Sequence, residues 1–322
     1  MICFAGPPFL NRIIQNTVKE KLSQLSPVAT IGYSAIKANF LAATLTINDL
    51  TIQLQPDSTD SLHQHQLHFS TCTITGISFS QAVLHKKLSI QKLQLNNGDI
   101  RLDAALFDST HLLQKKLSAR MPFKHISINR VQLATGNIWL MANGENKLLG
   151  KAKVDLEQIS ATVDSFQLGA IQCTAQDINY ALPHTTHAFH IQQLILDSKQ
   201  QTIQIDSVKI WDAKSKQLPG NELASLTAIK FSEIDVLKSY NNKFIDGKIT
   251  INGIRINTLP NRSLHIKKVL ANSRNASLRI ESLSMGTKYS KYEFGKKLGR
   301  QADYIEAEVP AIEVSNLNFK AL

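Results

Sequence analysis

The stretch Leu45-Thr46-Ile47-Asn48-Asp49-Leu50-Thr51-Ile52 decides how this chain folds. Apolar and polar residues alternate in each half, and Asn48 and Asp49 separate the halves. At about 100° per residue, a helix would scatter the four apolar positions around its cylinder. A strand lines each half on one face, because its side chains alternate with period two. Between the halves the phase slips once. A β-bulge would return both halves to one face and bend the strand. Alternatively, the strand crosses the edge of a layer and buries opposite faces at its two ends.

The same pattern recurs along the chain, as apolar-x-apolar-x-x-apolar-x-apolar. Leu88, Ile90, Leu93, Leu95 is one copy, and Ile126, Ile128, Val131, Leu133 is another. Phe189 to Leu196, Ile203 to Ile210, Ile229 to Val236 and Ile249 to Ile256 follow, then Leu278 to Met285 and Ile312 to Phe319. Cys72, Ile74, Ile77, Phe79 and Leu264, Ile266, Val269, Ala271 are weaker copies. Asn96-Asn97-Gly98 and Ala134-Thr135-Gly136 read as three-residue hairpin loops, with glycine available for a left-handed angle. Pro260-Asn261 and residues 272–275 read as further turns. Such connections are too short for parallel crossovers, so the spacing predicts an antiparallel meander. The hairpins also deny the parallel strands that a leucine-rich solenoid needs.

Helix is scarce. Leu10, Ile13, Ile14, Val18, Leu22 and Leu25 recur at steps of three and four, which predicts an amphipathic helix over 9–25 ending before Pro27. That face either caps the end of a sheet or lies beside a membrane, and the two roles are compatible. Further helix candidates are 104–118, 234–242 and 290–299. Polar loops are expected at 56–64, 143–147 and 212–222. The chain divides into a membrane-proximal segment, 1–26, and a single elongated antiparallel β domain, 27–322, expected to continue in a longer protein.

The 322 residues carry 36 Lys+Arg against 25 Asp+Glu, for a net charge of +11, with 43% apolar and 19% charged residues. This excludes a disordered, highly charged chain. No apolar run reaches about 18 residues, so no complete transmembrane helix is present. Met1 to Leu10 lacks a positive start and makes a poor signal peptide, but it suits the outer end of a membrane helix. Cys3, Cys72 and Cys173 lie far apart with no C-x-x-C, which excludes a disulfide framework and a cysteine zinc site.

The basic charge raises two partners, nucleic acid and an anionic membrane. Its lysines are mostly dispersed and serve solubility. One cluster, Lys288, Lys291, Lys296, Lys297 and Arg300, interleaves Tyr289, Tyr292 and Phe294. No nucleic-acid-binding signature accompanies it, and a lipid headgroup suits it at least as well. His63, His65 and His68, and His184, His187 and His190, read as solvated histidines rather than metal ligands. Trp139 and Trp211 each end a strand pattern and read as packing residues. No nucleophile elbow, zincin, phosphate-loop or dinucleotide motif is present, so the chain reads as non-enzymatic, without a cofactor.

With these residues in view, the chain resembles the AsmA-like family of Gram-negative envelope proteins, in the form common among Bacteroidetes. The resemblance rests on Pro8-Phe9-Leu10-Asn11-Arg12-Ile13-Ile14, Ile36-Lys37-Ala38-Asn39-Phe40, Leu45 to Ile52, and Ser290-Lys291-Tyr292-Glu293-Phe294. It implies a twisted antiparallel sheet curled into a taco-like groove with an apolar inner face. It also implies a periplasmic protein tethered to the inner membrane, with a part in outer-membrane biogenesis and phospholipid movement, and no catalytic residues.

The two lines of reading meet in one expectation. A large apolar face left uncovered by helices binds something, and phospholipid or another acyl lipid fits. Ile90, Leu93, Ile128, Val131, Ile251 and Ile254 are the expected groove residues, and Leu10, Ile13, Ile14 and Val18 the membrane-proximal ones. The alternative is a closed core, with the chain acting as a scaffold that pairs its strand edges with envelope proteins.

Overall fold

The computed structural model describes residues 7–23, 29–54, 65–103, 123–142, 145–162, 165–181, 185–212, 222–239, 247–257, 262–299 and 304–319. The chain is mainly β and divides into two compact units, Met1–Cys173 and Thr174–Leu322. The first unit opens with a helix, α1 (Pro7–Ser23), followed by β1 (Ala29–Gly32), β2 (Ala35–Asn39), β3 (Thr44–Leu54) and β4 (His65–Thr75). A short helix, α2 (Phe79–Leu84), leads to β5 (Lys87–Asp103), β6 (His125–Ala142), β7 (Glu145–Thr162) and β8 (Phe166–Ala181), within which the division falls. Its strand order is β1-β3-β4-β5-β6-β7-β8, and β2 also pairs with β3.

The second unit holds β9 (His187–Asp197), β10 (Thr202–Asp212), β11 (Glu222–Ser232), β12 (Lys248–Ile256), β13 (Arg262–Asn272), β14 (Ser277–Thr287) and β15 (Ala307–Val314), in that spatial order. Two helices, α3 (Val236–Ser239) and α4 (Lys291–Leu298), interrupt it. Ser290 caps α4, accepting from the Glu293 backbone while the Glu293 carboxylate takes the Ser290 backbone N–H.

Two expected hairpins are absent. Asn96-Asn97-Gly98 and Ala134-Thr135-Gly136 lie inside β5 and β6, strands of 17 and 18 residues. Their glycines serve space rather than a turn. A Cβ on Gly98 would come within 3.1 Å of the Phe69 ring and of Leu133, so Phe69 fills the place its neighbour leaves open. β5 and β6 pair in parallel from Lys87↔His125 to Asp103↔Met141, so the meander is antiparallel-dominated rather than wholly antiparallel. The connection through 104–122 gives the chain length that a parallel return requires. The helix candidate 104–118, the loop 56–64 and Pro260-Asn261 lie outside the described residues. Glu145 to Lys147 are strand rather than loop, and Trp139 lies within β6 rather than at its end.

The slip in the repeat resolves as a matched step. Ile205 pairs with Leu194 and Val208 with Ile191, so the register is unchanged across it. Ser207 and Gln192 face each other at the step without pairing. Because β9 and β10 each carry the two-residue step, neither gains a residue on the other there, unlike an ordinary bulge. Alternate strands absorb the step with a left-handed residue, Ser207, Gly253 and Ser282 in the second unit, Asp49 and Asn97 in the first. In β3 the result is one apolar face. Leu45, Ile47 and Leu50, from both sides of the step, are buried in one cluster against which Ile52 packs.

The step also realigns three copies. β4 contributes Leu67, Phe69, Cys72 and Ile74, which pair with Ile52, Leu50, Ile47 and Leu45. Likewise β11 contributes Ala224, Leu226, Ile229 and Phe231, and β15 contributes Ala307, Val309, Ile312 and Val314. Ile77, Ile234 and Leu317, which sequence spacing had counted as repeat positions, instead lock the chain's exit from a strand. Their backbone N–H groups donate to the carbonyls of Ala43, Gln201 and Ala276 at 3.3, 3.2 and 2.9 Å. Each acceptor is left-handed, as is the residue before each donor, Gly76, Glu233 or Asn316.

The first unit's core gathers Ile36, Leu45, Ile47, Leu50, Phe69, Cys72, Ile90 and Leu133, with Val18 and Leu22 of α1 packed against it. The α1 carboxamide of Asn11 accepts the Phe40 backbone N–H at 2.9 Å. Burial pushes the Cys72 thiol from 9.0 up to about 11. The unfolded chain therefore loses this proton first as pH rises. Stability from the neutral thiol is complete below pH 9.0 and declines until about pH 11. Denaturant titrations across that range should show an alkaline slope that Cys72→Ala flattens.

Candidate functional site

The matched steps build two continuous apolar rows across the second unit. One runs Ile191, Val208, Leu226, Ile254, Ile266, Leu283, Val309, the other Leu194, Ile205, Ile229, Ile251, Val269, Ile280, Ile312. None of these residues is buried; all are half-buried except Val309, which is 37% exposed. In the first unit Leu45, Ile47, Leu50, Ile90 and Leu133 of the same pattern are buried in a core, and Ile52, Leu88, Leu93, Leu95 and Ile128 are half-buried against it. The second unit's rows have no such buried members.

The expected groove residues divide accordingly. Ile251 and Ile254 stand one in each row, flanking Gly253. Ile90 is 6% exposed and belongs to the first unit's core. It pairs with Ile128, and Leu93 pairs with Val131. Leu93 and Ile128 pack against that core, and Val131 is half-buried. Of the membrane-proximal residues, Val18 packs on the core, Ile14 is half-buried, and Ile13 is exposed, as is Phe9 beside it. The Leu10 side chain lies outside the described residues. No described helix is long and apolar enough to cross a membrane.

A cavity of about 860 Å³ opens in the first unit beside a step in β5, β6 and β7, with Gln167, Leu168 and Gly169 of β8 on its lining. Three register rows line it. Ser89, Ser127 and Ser160 form one, Ile90, Ile128 and Ile159 the next, and Gln91, Asn129 and Gln158 the third. Ser160 Oγ lies 3.3 Å from His125 Nε2. The amide row could not be found in the sequence, because only the register brings its members together.

Charged groups stand elsewhere. Hydrogen bonds from Asn137 and the Trp139 indole, the latter at 3.1 Å, hold the Asp99 carboxyl below its usual range. Glu233 is held below its usual range by a hydrogen bond from Lys248, with Arg274 adding its charge. The basic cluster is carried by α4 and its approach. Tyr292 is 89% exposed, Phe294 is buried edge-on against Tyr304, and Lys297 stands over the Tyr289 ring at 5.9 Å. Among the described residues no three His, Cys, Asp or Glu side chains come together as metal ligands. His65 and His68 sit on β4, His190 contacts Asn179 at 3.0 Å, and His63 and His184 lie outside the described residues.

No protein-family model matches the chain, and no curated protein matches it.

Proposed function

We propose that the chain is a non-enzymatic lipid-binding and lipid-transfer segment of an AsmA-like envelope protein. The observation that carries this reading is the pair of apolar rows in the second unit, repeated on every strand from β9 to β15 and buried on none. Strands about 4.8 Å apart give each row a span of roughly 29 Å. That exceeds a single leaflet's acyl tail, about half of a roughly 30 Å hydrocarbon core. The rows serve as the floor of a groove along which tails slide, each buried methylene contributing about 0.8 kcal/mol. Headgroups stay in water, so no bond is made or broken. The setting is the periplasm, with the full-length protein tethered at the inner membrane near α1 and acting in outer-membrane biogenesis.

The scaffold reading would use the outer edge of β15, which among the described residues pairs only with β14. That edge carries Glu306, Glu308, Pro310 and Glu313 beside or within it, the residue types that discourage edge pairing. It is the weaker reading on this ground. A fluorescent fatty acid titrated into the purified chain tests the lipid reading. Ile251→Asp places a carboxylate in the middle of one row and should weaken binding by at least about tenfold, because a buried charge opposes every apolar neighbour. Unchanged affinity in a folded variant would count against these rows as the site.

A further inference from the structure

The hairpin joining β2 to β3 turns through Phe40-Leu41-Ala42-Ala43, four apolar residues in a row. Turns of this kind ordinarily draw on Gly, Pro, Asn, Asp and Ser. Leu41, at the tip, is 78% exposed, and Phe40 beside it is exposed as well. Hydrogen bonds hold the loop in this shape. The Ala43 backbone N–H donates to the Phe40 carbonyl and the Ala42 N–H to the Asn39 carboxamide, both at 3.1 Å. The Phe40 N–H is taken by Asn11 of α1. The Ala43 carbonyl in turn accepts the Ile77 N–H, which ties the loop to the next connection. Backbone donors satisfied inside the protein lose nothing when the loop leaves water.

α1 extends the apolar surface. Asn11 reaches the loop, and Val18 and Leu22 pack on the core. Phe9 and Ile13 stand two residues to either side of Asn11, about 200° around the helix, and both are exposed. Further along α1 the exposed residues are Asn16, Lys19 and Glu20, all polar. The outward apolar residues are therefore confined to the turns that adjoin the hairpin loop.

The charge at this end of the unit has one sign. Residues 7–19, 29–48 and 65–98 contain no Asp or Glu. Arg12 of α1 and Lys37 of β2 are exposed. β3 and β5 begin at this end of the sheet, and β4 finishes there. Between β4 and β5, α2 finishes on an exposed Leu84, and exposed Lys86 and Lys87 follow. Exposed Lys124 joins them, its backbone N–H donating to the Lys86 carbonyl at 2.9 Å. Apolar tips among cations match an anionic bilayer, where leucine and phenylalanine enter the headgroup–acyl boundary and lysine and arginine meet lipid phosphates. Nucleic acid would engage the cations and leave Leu41 and Phe9 in water. A protein partner would have to place an apolar pocket over Leu41 and carboxylates beside Arg12 and Lys37, whereas a bilayer offers both from one fluid surface.

We infer that this end of the first unit docks on an anionic phospholipid bilayer, with Leu41 and Phe9 inserted. The inference rests on the membrane-proximal place of α1 proposed above and not on the acyl rows of the second unit.

The test mixes the full chain with vesicles of equal parts phosphatidylethanolamine and phosphatidylglycerol, or of phosphatidylcholine alone, and reads association by flotation. The wild type should float with the anionic vesicles and be released by salt. Leu41→Asp should weaken association by about tenfold or more, the effect of withdrawing one leucine side chain from an apolar setting. Lys37→Gln should weaken it by about fivefold. Both variants should melt like the wild type, because both side chains are exposed, and both should bind fluorescent fatty acid like the wild type. Leu41→Trp should show blue-shifted emission on anionic vesicles, beyond any change from Trp139 and Trp211, and brominated acyl chains should quench it. Undiminished flotation of folded Leu41→Asp, or no shift in Leu41→Trp, would overturn the insertion. Equal flotation with phosphatidylcholine would overturn the role of the cations. No flotation of a wild type that still binds fatty acid would overturn the docking and leave the acyl rows standing, whereas flotation without fatty-acid binding would support the docking and count against the rows. Self-association that Leu41→Asp abolishes, without flotation, would overturn the bilayer in favour of a protein contact.

Discussion

Phe69→Ala should destabilise the first unit by about 3–5 kcal/mol, near the top of the range for a core aromatic truncation. Phe69 is 4% exposed and lies in the unit's central cluster. Its cross-strand partners are Leu50 on β3 and Gly98 on β5. Glycine supplies no side chain that could relax into the vacated space, so the cavity stays open. Chemical denaturation with two probes would read the loss as a lower midpoint at an unchanged slope. The same geometry predicts coupling. Gly98→Ala alone should destabilise, because its Cβ comes 3.1 Å from the ring. In the Phe69→Ala background the ring contact is gone and only the 3.1 Å approach to Leu133 remains, so the cost of the new methyl group should shrink. A double-mutant cycle with no coupling would contradict the assignment of this glycine to space rather than to a turn.

Gly253→Val should destabilise the second unit by about 2–4 kcal/mol through two separate effects. The backbone is left-handed there, φ 61°, and a β-branched residue is a poor occupant of that region. A Cβ would also collide with Thr227 Oγ1 on the neighbouring strand. The counterpart runs in the opposite direction. Ser207 and Ser282 hold the same step at φ 50°, and Ser207→Gly should be neutral or mildly stabilising. If Gly253→Val and Ser207→Gly changed stability equally, the matched step would not be the conformational device described here. Thermal melts of the two variants beside the wild type make the comparison.

The strands were legible because alternation is local, and Leu45 to Ile52 needs no partner to be recognised. The step was legible too, but its meaning was not. One strand cannot reveal that its neighbour carries the same step, which is what keeps Ile205 opposite Leu194 and Val208 opposite Ile191. The parallel pair of β5 and β6 was hidden because Asn97-Gly98 and Thr135-Gly136 look like turn chemistry, whereas Gly98 makes room for the Phe69 ring of a different strand. Spacing misplaced the copies at β4, β11 and β15 for a related reason. Ile77, Ile234 and Leu317 follow the strands at the expected interval but serve a backbone lock to an earlier turn. Of the expected groove residues, Ile251 and Ile254 fall in half-buried rows and Ile90 in a buried core, a difference that their own sequence context does not contain.

The central claim is that the second unit's rows hold acyl chains, and native mass spectrometry of the purified chain with lipid extraction of the same sample tests it most directly. The account predicts phospholipid or another acyl lipid in a reproducible ratio, lost in Ile251→Asp while the variant keeps its fold by circular dichroism. A clean lipid-free mass from the well-folded wild type, unchanged after incubation with phospholipid vesicles, would contradict it.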